Sequence, residues 1–354
     1  YKDGDKLYVP TDHIDAVRQY IGGDSPTLHR LGGSDFARAK QRVRSAVREI
    51  AQELVVLYQR RVNAVGHAFS EDTPWQHEME GAFPFVETPD QRTAIELVKG
   101  DMERNVPMDR LVCGDVGFGK TEVAMRAAFM AVNGGKQVAL LVPTTLLAQQ
   151  HYETLRDRFA NWPVNVAVMS RFQTTAEQNK TMAQAEDGKL DILVGTHKIL
   201  QGKLTFNRLG LLIIDEEHRF GVRQKEKLKS LRANVDILTL TATPIPRTLN
   251  MALAGIRDLS LIVTPPAKRL SVKTFVREKQ DSLVKEAVSR ELLRGGQVFY
   301  LHNEVKSINR AAQHVQEIIP QARVCIAHGQ MPERDLEKVM ADFYHKRYNI
   351  LVCT

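Results

Sequence analysis

The stretch Gly114-Asp115-Val116-Gly117-Phe118-Gly119-Lys120-Thr121 constrains the fold more than any other feature of the sequence. It fits the pattern G-x-x-x-x-G-K-[ST], in which a glycine-rich turn wraps phosphate groups. Its three glycines let backbone N–H groups point inward at phosphate oxygens. Apolar residues 111–113 predict a buried strand before the turn, and residues 121–132 predict a helix after it. This order predicts an α/β domain that binds a nucleotide phosphate at a helix N-terminus.

A second motif lies 95 positions downstream. The continuous apolar run 211–214 predicts a strand covered on both faces, and Asp215-Glu216-Glu217-His218 follows it directly. Acids at the carboxyl end of such a strand lie where α/β sheets bind ligands. We expect Lys120 to neutralise the β- and γ-phosphates, and Thr121 and Asp215 to hold Mg²⁺. Glu216 is the candidate to orient or deprotonate the attacking water. The predicted cofactors are therefore ATP and Mg²⁺.

Composition limits the class of protein. A chain of 354 residues is long enough for two or three domains. Its net charge of +7 and pI near 9.2 weakly favour a polyanionic partner, although a solvated basic surface gives the same figure. Cys113, Cys325 and Cys353 lack Cys-x-x-Cys spacing, which argues against a disulfide framework or a zinc site. With neither a signal peptide nor a run of membrane-spanning length, we expect a cytoplasmic protein.

The order of apolar runs predicts the domain organisation. From residue 83, short apolar strands alternate with helices, which is the pattern of a parallel α/β sheet. Val263-Thr264-Pro265-Pro266-Ala267 breaks this alternation and predicts a linker. The predicted strands are 111–113, 137–142, 164–169, 192–194, 211–214, 237–240, 272–276, 297–301, 323–326 and 349–352. The predicted segments are 1–33, a small β module; 34–83, a helical linker; 84–264, the first α/β domain; and 268–354, part of a second one.

Two N-terminal features carry less information. Residues 6–10 predict a short strand stopped by Pro10. Residues 35–61 predict a long amphipathic helix, whose basic face indicates a solvated surface more than a nucleic-acid contact. Because the sequence opens at Tyr1 without methionine and stops after a strand-like run, we interpret it as a fragment of a longer polypeptide.

The Asp-Glu-x-His motif, with Thr241-Ala242-Thr243-Pro244 after the next predicted strand, resembles the superfamily 2 helicases and translocases. The resemblance implies two RecA-like domains. It also implies that Phe85 packs on the adenine base and that Gln91, in Thr88-Pro89-Asp90-Gln91, reads the adenine edge. Further motifs begin at Pro143, Ser170, Gly195, His302 and Ala327, and they resemble the nucleic-acid contact loops of this family. The implied DNA-binding or coupling residues are Thr144, Thr145, Ser170, Arg171, Thr196, His197, His218, Thr241, Thr243, His302 and His328.

Two stretches, from Gly114 to Ala124 and from Thr243 to Leu249, narrow the resemblance to one branch of the superfamily. They are similar to the branch that acts on duplex DNA, which holds the bacterial transcription-repair coupling factors and the RecG-like fork-remodelling helicases. The coupling factors are favoured by Phe118 in the loop, by the continuation from Glu122 to Phe129 and by the stretch from Asp215 to Val222. Residues 5–10 and the predicted helix to Tyr20 resemble the tail of the RNA-polymerase-interaction module of those factors. That reading implies a monomeric DNA translocase that displaces stalled RNA polymerase and recruits excision-repair proteins. The alternatives are a fork-remodelling helicase and a polymerase-binding module that uses ATP only as a switch.

The resemblance also implies that the family's later motifs, including an arginine finger, lie beyond Thr354. An arginine finger contributes several powers of ten to the rate of phosphoryl transfer. We therefore expect this chain to bind ATP with Mg²⁺ and to hydrolyse it poorly.

Overall fold

The computed structural model describes residues 6–8, 10, 38, 41, 45, 56, 59, 63–170, 173–196, 199, 204–217, 220, 235–243, 257–267, 269 and 272–354. The chain divides into two compact units, residues 1–63 and 64–354. In the first unit, the described residues at 38, 41, 45, 56 and 59 are helical, within the predicted helix 35–61. Residues 6–8 are exposed and form no strand, so the strand predicted at 6–10 is wrong for them. Apolar residues make a strand only where a neighbouring strand accepts their hydrogen bonds.

A seven-stranded sheet forms the centre of the second unit. Its strands are β1 (Asp109–Gly114), β2 (Gln137–Leu141), β3 (Val166–Met169), β4 (Ile192–Gly195), β5 (Leu209–Asp215), β6 (Asp236–Thr241) and β7 (Asp258–Ile262). They are all parallel and lie in the order β3-β4-β2-β5-β6-β1-β7. Because every strand runs the same way, all of their carboxyl ends lie along one edge.

The described residues form five helices that accompany this sheet: α1 (Pro74–Gly81), α2 (Pro89–Met102), α3 (Lys120–Asn133), α4 (Thr145–Arg158) and α5 (Thr175–Glu186). Their starts follow from local sequence. The Thr88 hydroxyl caps α2 and the Gln91 side chain reaches back to the Thr88 N–H, while Pro89 fits the first turn. Thr174 caps α5 with the same reciprocal bonds to Glu177, whereas the Thr144 hydroxyl caps α4 by accepting from the Leu147 N–H alone. Apolar residues of α3 and α4, among them Phe129 and Leu155, pack with β-strand residues such as Ile213 in one buried core.

A second, three-stranded parallel sheet has the order β8-β10-β9, with β8 (Val298–Leu301), β9 (Val324–Ala327) and β10 (Ile350–Cys353). Its helices are α6 (Asp281–Leu293), α7 (Ile308–Ile318) and α8 (Glu333–Tyr344). Ile308 and Val315 of α7 pack on Ile350 and Val352, which are fully buried. Of the helices that the structure describes, none is long and apolar enough to cross a membrane.

The predicted α/β fold with parallel sheets is confirmed. Apart from the strands predicted at 6–10 and 272–276, the predicted strands lie within two or three residues of those observed. The strand predicted at 272–276 is wrong: these residues have no regular secondary structure, and Val272 and Val276 are exposed. Their apolar pattern favours a strand, but no described strand pairs with them. The sequence pattern also did not predict β7, an edge strand whose side chains are only partly buried.

Candidate nucleotide and nucleic-acid site

The phosphate loop joins the end of β1 to the start of α3. Gly117 and Gly119 have φ angles of 79° and 81°, in the left-handed region that glycine adopts without strain. Gly119 is the N-cap of α3 and provides no side-chain hydrogen bond to the first turn. The first N–H groups of the helix are therefore available to an anion. A Cβ at Gly119 would lie 2.4 Å from the amide nitrogen of Gln91, so a larger residue would displace the Gln91 side chain as well as strain the backbone at this φ angle.

Lys120 lies inside this loop. Its ammonium donates hydrogen bonds to the carbonyl oxygens of Gly114, at 2.6 Å, and Asp115, at 3.0 Å. Burial lowers the pKa of Lys120, although the carboxylates of Glu216 and Asp215 act in the opposite direction. The turn, the uncapped helix and this lysine together fit the phosphates of a nucleoside triphosphate.

The acids predicted for metal binding and catalysis follow β5. Asp215 is the last residue of that strand, and its Oδ2 lies 3.2 Å from Nε2 of His151. Glu216 has a φ of 53°, uncommon for a residue with a side chain. Its carboxylate accepts hydrogen bonds from the Thr241 hydroxyl and the Ala242 N–H, both at 3.0 Å. Glu216 is thus attached to the end of β6, and an unusual backbone angle at such a position is a pointer to function.

These groups surround one cleft of about 850 Å³. Phe85 lies at its mouth, 56% exposed and edge-to-face against Phe83. Gln91 also lines the cleft, but its side chain binds the Thr88 N–H and the Phe118 carbonyl. The lining further includes Val116, Gly117, Gly119, Lys120, Thr121, Asp215 and Glu216. Phe85 and Gln91 therefore lie beside the phosphate loop, and their contacts with adenine stay a prediction.

The residues implied for DNA contact in the first sheet lie at neighbouring strand ends. Thr144 follows β2 and is exposed, while Thr145 begins α4 and is 6% exposed. Ser170 follows β3 and Thr196 follows β4, and both are buried. Because β3, β4 and β2 are adjacent in the sheet, these four residues share one half of the carboxyl edge.

The remaining implied DNA residues divide into three groups. At the end of β6, Thr241 is buried and Thr243 is exposed. In the second sheet, His302 lies 2.9 Å from the Ser307 hydroxyl, and His328 has a buried Nδ1 that no described atom partners. The residues Arg171, His197 and His218 lie outside the described part of the chain. Among the described residues, no group of three or more His, Cys, Asp and Glu could hold a metal ion by itself.

Comparison with known proteins agrees with this geometry. A family model described as DEAD/DEAH box helicase matches residues 88–252, and one described as helicase conserved C-terminal domain matches residues 278–354. The chain belongs to the superfamily 2 helicases. Membership of this family implies the use of a nucleotide, which is ATP.

Relatives within the family are more specific. The chain is 58% identical to the transcription-repair-coupling factor of Escherichia coli (strain K12), a match that covers 100% of this chain and 31% of that protein. The factor of Bacillus subtilis (strain 168) is 53% identical, with 100% and 30% covered. A structure of RecG bound to a three-way DNA junction has a TM-score of 0.71 at 32% identity, covering 86% of this chain and 42% of that one. The chain thus spans about a third of the length of these curated relatives.

Three residues of this site were not predicted from the sequence. His151 contacts Asp215, and Arg257 contacts Glu217. Arg269 pairs with Asp115 at 2.9 Å and lies 4.7 Å from the centre of the Phe118 ring. None of the three belongs to a motif with a fixed spacing to the phosphate loop. For Arg269 the position just after a Pro-Pro linker was the only signal.

Proposed function

We propose that this chain is the ATP-driven, double-stranded DNA translocase part of a transcription-repair-coupling factor. The observation that carries the proposal is the arrangement of one sheet edge. The strands β1, β6 and β5 present the nucleotide candidates, and the adjacent strands β2, β4 and β3 present the DNA candidates. Nucleotide and DNA would therefore bind side by side on one rigid frame.

Each nucleotide candidate has a separate role in this proposal. The first turn of α3 and Lys120 bind the phosphates, and Thr121 and Asp215 hold Mg²⁺. Bound ATP·Mg²⁺ supplies the phosphoanhydride bond whose hydrolysis drives the motion. Glu216 orients the attacking water and accepts its proton. Thr144 and Thr145, at the start of α4, contact the DNA backbone, and such contacts carry no base information.

The bonds between Glu216 and the end of β6 support a direct link between the proposed catalytic acid and the coupling candidates Thr241 and Thr243. The Thr241 hydroxyl donates to Glu216, and the Thr243 N–H lies 3.3 Å from the Thr241 hydroxyl. A change in the position of Glu216 therefore displaces Thr241 and Thr243. In the proposal, this displacement transmits the state of the nucleotide to the DNA contacts.

We expect the chain to bind duplexes of unrelated sequence with similar affinity, and the affinity to fall steeply with salt. Backbone contacts release counterions, so the logarithm of the binding constant decreases linearly with the logarithm of salt concentration. Fluorescence anisotropy with two 30-base-pair duplexes, at several salt concentrations, measures both properties. A tenfold preference for one sequence, or an affinity independent of salt, contradicts the proposal.

The coupling function itself requires a polypeptide of the curated relatives' length. With ATP, such a protein should release a stalled RNA polymerase from DNA, and it should co-purify with the polymerase. The likeness to RecG supports a second candidate, a fork-remodelling helicase, because that relative is bound to a three-way DNA junction. Unwinding of branched DNA without any association with polymerase would favour this candidate.

A further inference from the structure

His151 lies where it can control the predicted magnesium ligand. It belongs to α4, its side chain is 11% exposed, and its Nε2 is 3.2 Å from Oδ2 of Asp215. A carboxylate only accepts hydrogen bonds, so the histidine is the donor. The ring also lines the gap between α3, α4 and the sheet, together with Thr121. His151 therefore contacts Asp215 and lies in the same gap as Thr121, the other residue that is predicted to hold the metal ion.

We propose that His151 is a positioning residue that fixes the carboxylate of Asp215 for Mg²⁺, an inference that rests on the proposed nucleotide site. By donating to Oδ2, the ring restricts the rotation of the carboxylate and leaves Oδ1 available to a metal ion. Residues behind a metal ligand act in this way, and their loss lowers metal affinity about 10–100-fold. His151 is also six residues from Thr145, about 9 Å along the helix axis. The helix α4 therefore connects a predicted DNA contact to the metal ligand.

The test is Mg²⁺-dependent binding of a fluorescent ATP analogue to this chain. We expect His151→Leu to raise the Mg²⁺ concentration needed for half-maximal binding about 10–100-fold, with binding in EDTA changed less than about twofold. His151→Gln keeps an N–H donor and should recover part of the loss. In an Asp215→Asn background, His151→Leu should have no further effect, since the carboxylate that it positions is gone.

Three outcomes overturn this role. They are an unchanged Mg²⁺ requirement in His151→Leu, an equal loss of binding with and without Mg²⁺, and additive effects of the two substitutions. If the unmodified chain binds no nucleotide at any Mg²⁺ concentration, the proposed nucleotide site itself fails, and the inference fails with it.

A separate contact concerns the DNA side of the site. The hydroxyl of Thr145 donates a hydrogen bond to a carboxylate oxygen of Glu337, a residue of α8 beside the second sheet. Thr145 is the first residue of α4 and Thr144 is its cap, so the carboxylate lies at a helix N-terminus. Such a position favours negative charge. A DNA phosphate at Thr145 would need the same hydroxyl and the same helix end.

We further infer that Glu337 occupies the place of a DNA phosphate and inhibits DNA binding, an inference that rests on the proposed DNA contact of Thr145. The two anions exclude each other because they need one donor. DNA binding therefore requires the second sheet, with α8, to move away from α4. The contact favours the DNA-free arrangement until such a movement occurs.

The matched substitutions Glu337→Gln and Asp335→Asn test this contact. Both remove one negative charge from α8, but Asp335 is exposed and its side chain forms no hydrogen bond or ion pair with the described residues. We expect Glu337→Gln to raise duplex affinity by about five- to tenfold, the effect of replacing a charge-assisted hydrogen bond with a neutral one, because the glutamine amide oxygen can still accept from Thr145. Asp335→Asn should raise it less than about twofold, because an exposed charge is screened by salt.

Fluorescence anisotropy at fixed salt concentration gives both values. Equal gains in the two variants would mean a general charge effect, and no gain in Glu337→Gln would mean no competition; either result overturns the inference. Absence of DNA binding by all three proteins would instead overturn the proposed DNA function.

Discussion

Replacing Glu216 with glutamine is expected to lower the rate of ATP hydrolysis about 10²–10⁴-fold, the contribution of a positioned general base. Nucleotide affinity should change little, because the phosphate-binding groups of the loop and Lys120 are not altered. Glutamine keeps the shape of the side chain, and its amide oxygen can still accept the bond that the Ala242 N–H now gives to Glu216. What it loses is the negative charge and the capacity to take a proton.

The measurement is steady-state hydrolysis with saturating DNA, in a polypeptide of the curated relatives' length, together with nucleotide binding by this chain. Glu186→Gln is the control, because Glu186 is exposed at the end of α5, just before β4 begins, and so lies toward the edge of the sheet opposite the carboxyl ends of the strands. It should hydrolyse ATP at the unmodified rate. If Glu216→Gln hydrolyses ATP within about threefold of that rate, Glu216 is not the general base.

The same variant separates a motor from a nucleotide switch. If ATP binding alone changes the shape of the protein, Glu216→Gln should still displace a stalled polymerase. If repeated hydrolysis moves the protein along DNA, displacement should be lost while ATP binding persists. This second outcome is the one that the translocase proposal requires.

The parts of the site that could be predicted are those set by contiguous residues. The glycines of the phosphate loop, Lys120 and the acids after β5 form short motifs whose strand and helix flanks are visible in the sequence. Their common location follows from parallel strands, whose carboxyl ends share an edge. Local chemistry alone was enough for this half of the site.

The order of the strands in the sheet could not be predicted from short motifs. This order determines which residues from distant segments meet in the site. His151 reaches Asp215 because the helix that carries it follows β2, and β2 pairs with β5, a strand that lies far from it in sequence. Glu337 reaches Thr145 across 192 positions. The failure at residues 272–276 has the same origin, since their apolar pattern could not show that no described strand would pair with them. Contacts between distant segments are decided by packing, which single-sequence patterns do not contain.

Arg257 is the strongest case of a residue that only the fold explains. Its side chain is 1% exposed, and its Nε lies 2.8 Å from Oδ1 of Asp109 at the start of β1. One terminal nitrogen donates to Glu217 at 3.0 Å, and the other donates to the Thr239 hydroxyl in β6. One guanidinium therefore contacts three segments of the sheet, and one of its contacts holds Glu217, the residue next to Glu216. A lysine could not make these three contacts at once, because all of its N–H donors are on one nitrogen atom, whereas those of arginine are spread over three.

We therefore expect Arg257→Met to reduce the free energy of unfolding by about 3–5 kcal/mol, the usual cost of removing one partner from a buried ion pair. The substitution removes the guanidinium cation that now contacts the carboxylates of Asp109 and Glu217. Urea unfolding of the nucleotide-free chain measures the loss as a lower midpoint at constant slope. Arg104→Met is the control, since Arg104 is 70% exposed in its pair with Asp101 and should cost less than about 1 kcal/mol. Equal losses in the two variants would show that the contacts of Arg257 do not stabilise the fold. A larger loss for Arg257→Met, partly recovered in Arg257→Lys, would show that the charge and the geometry of Arg257 both stabilise the sheet next to the proposed catalytic acids.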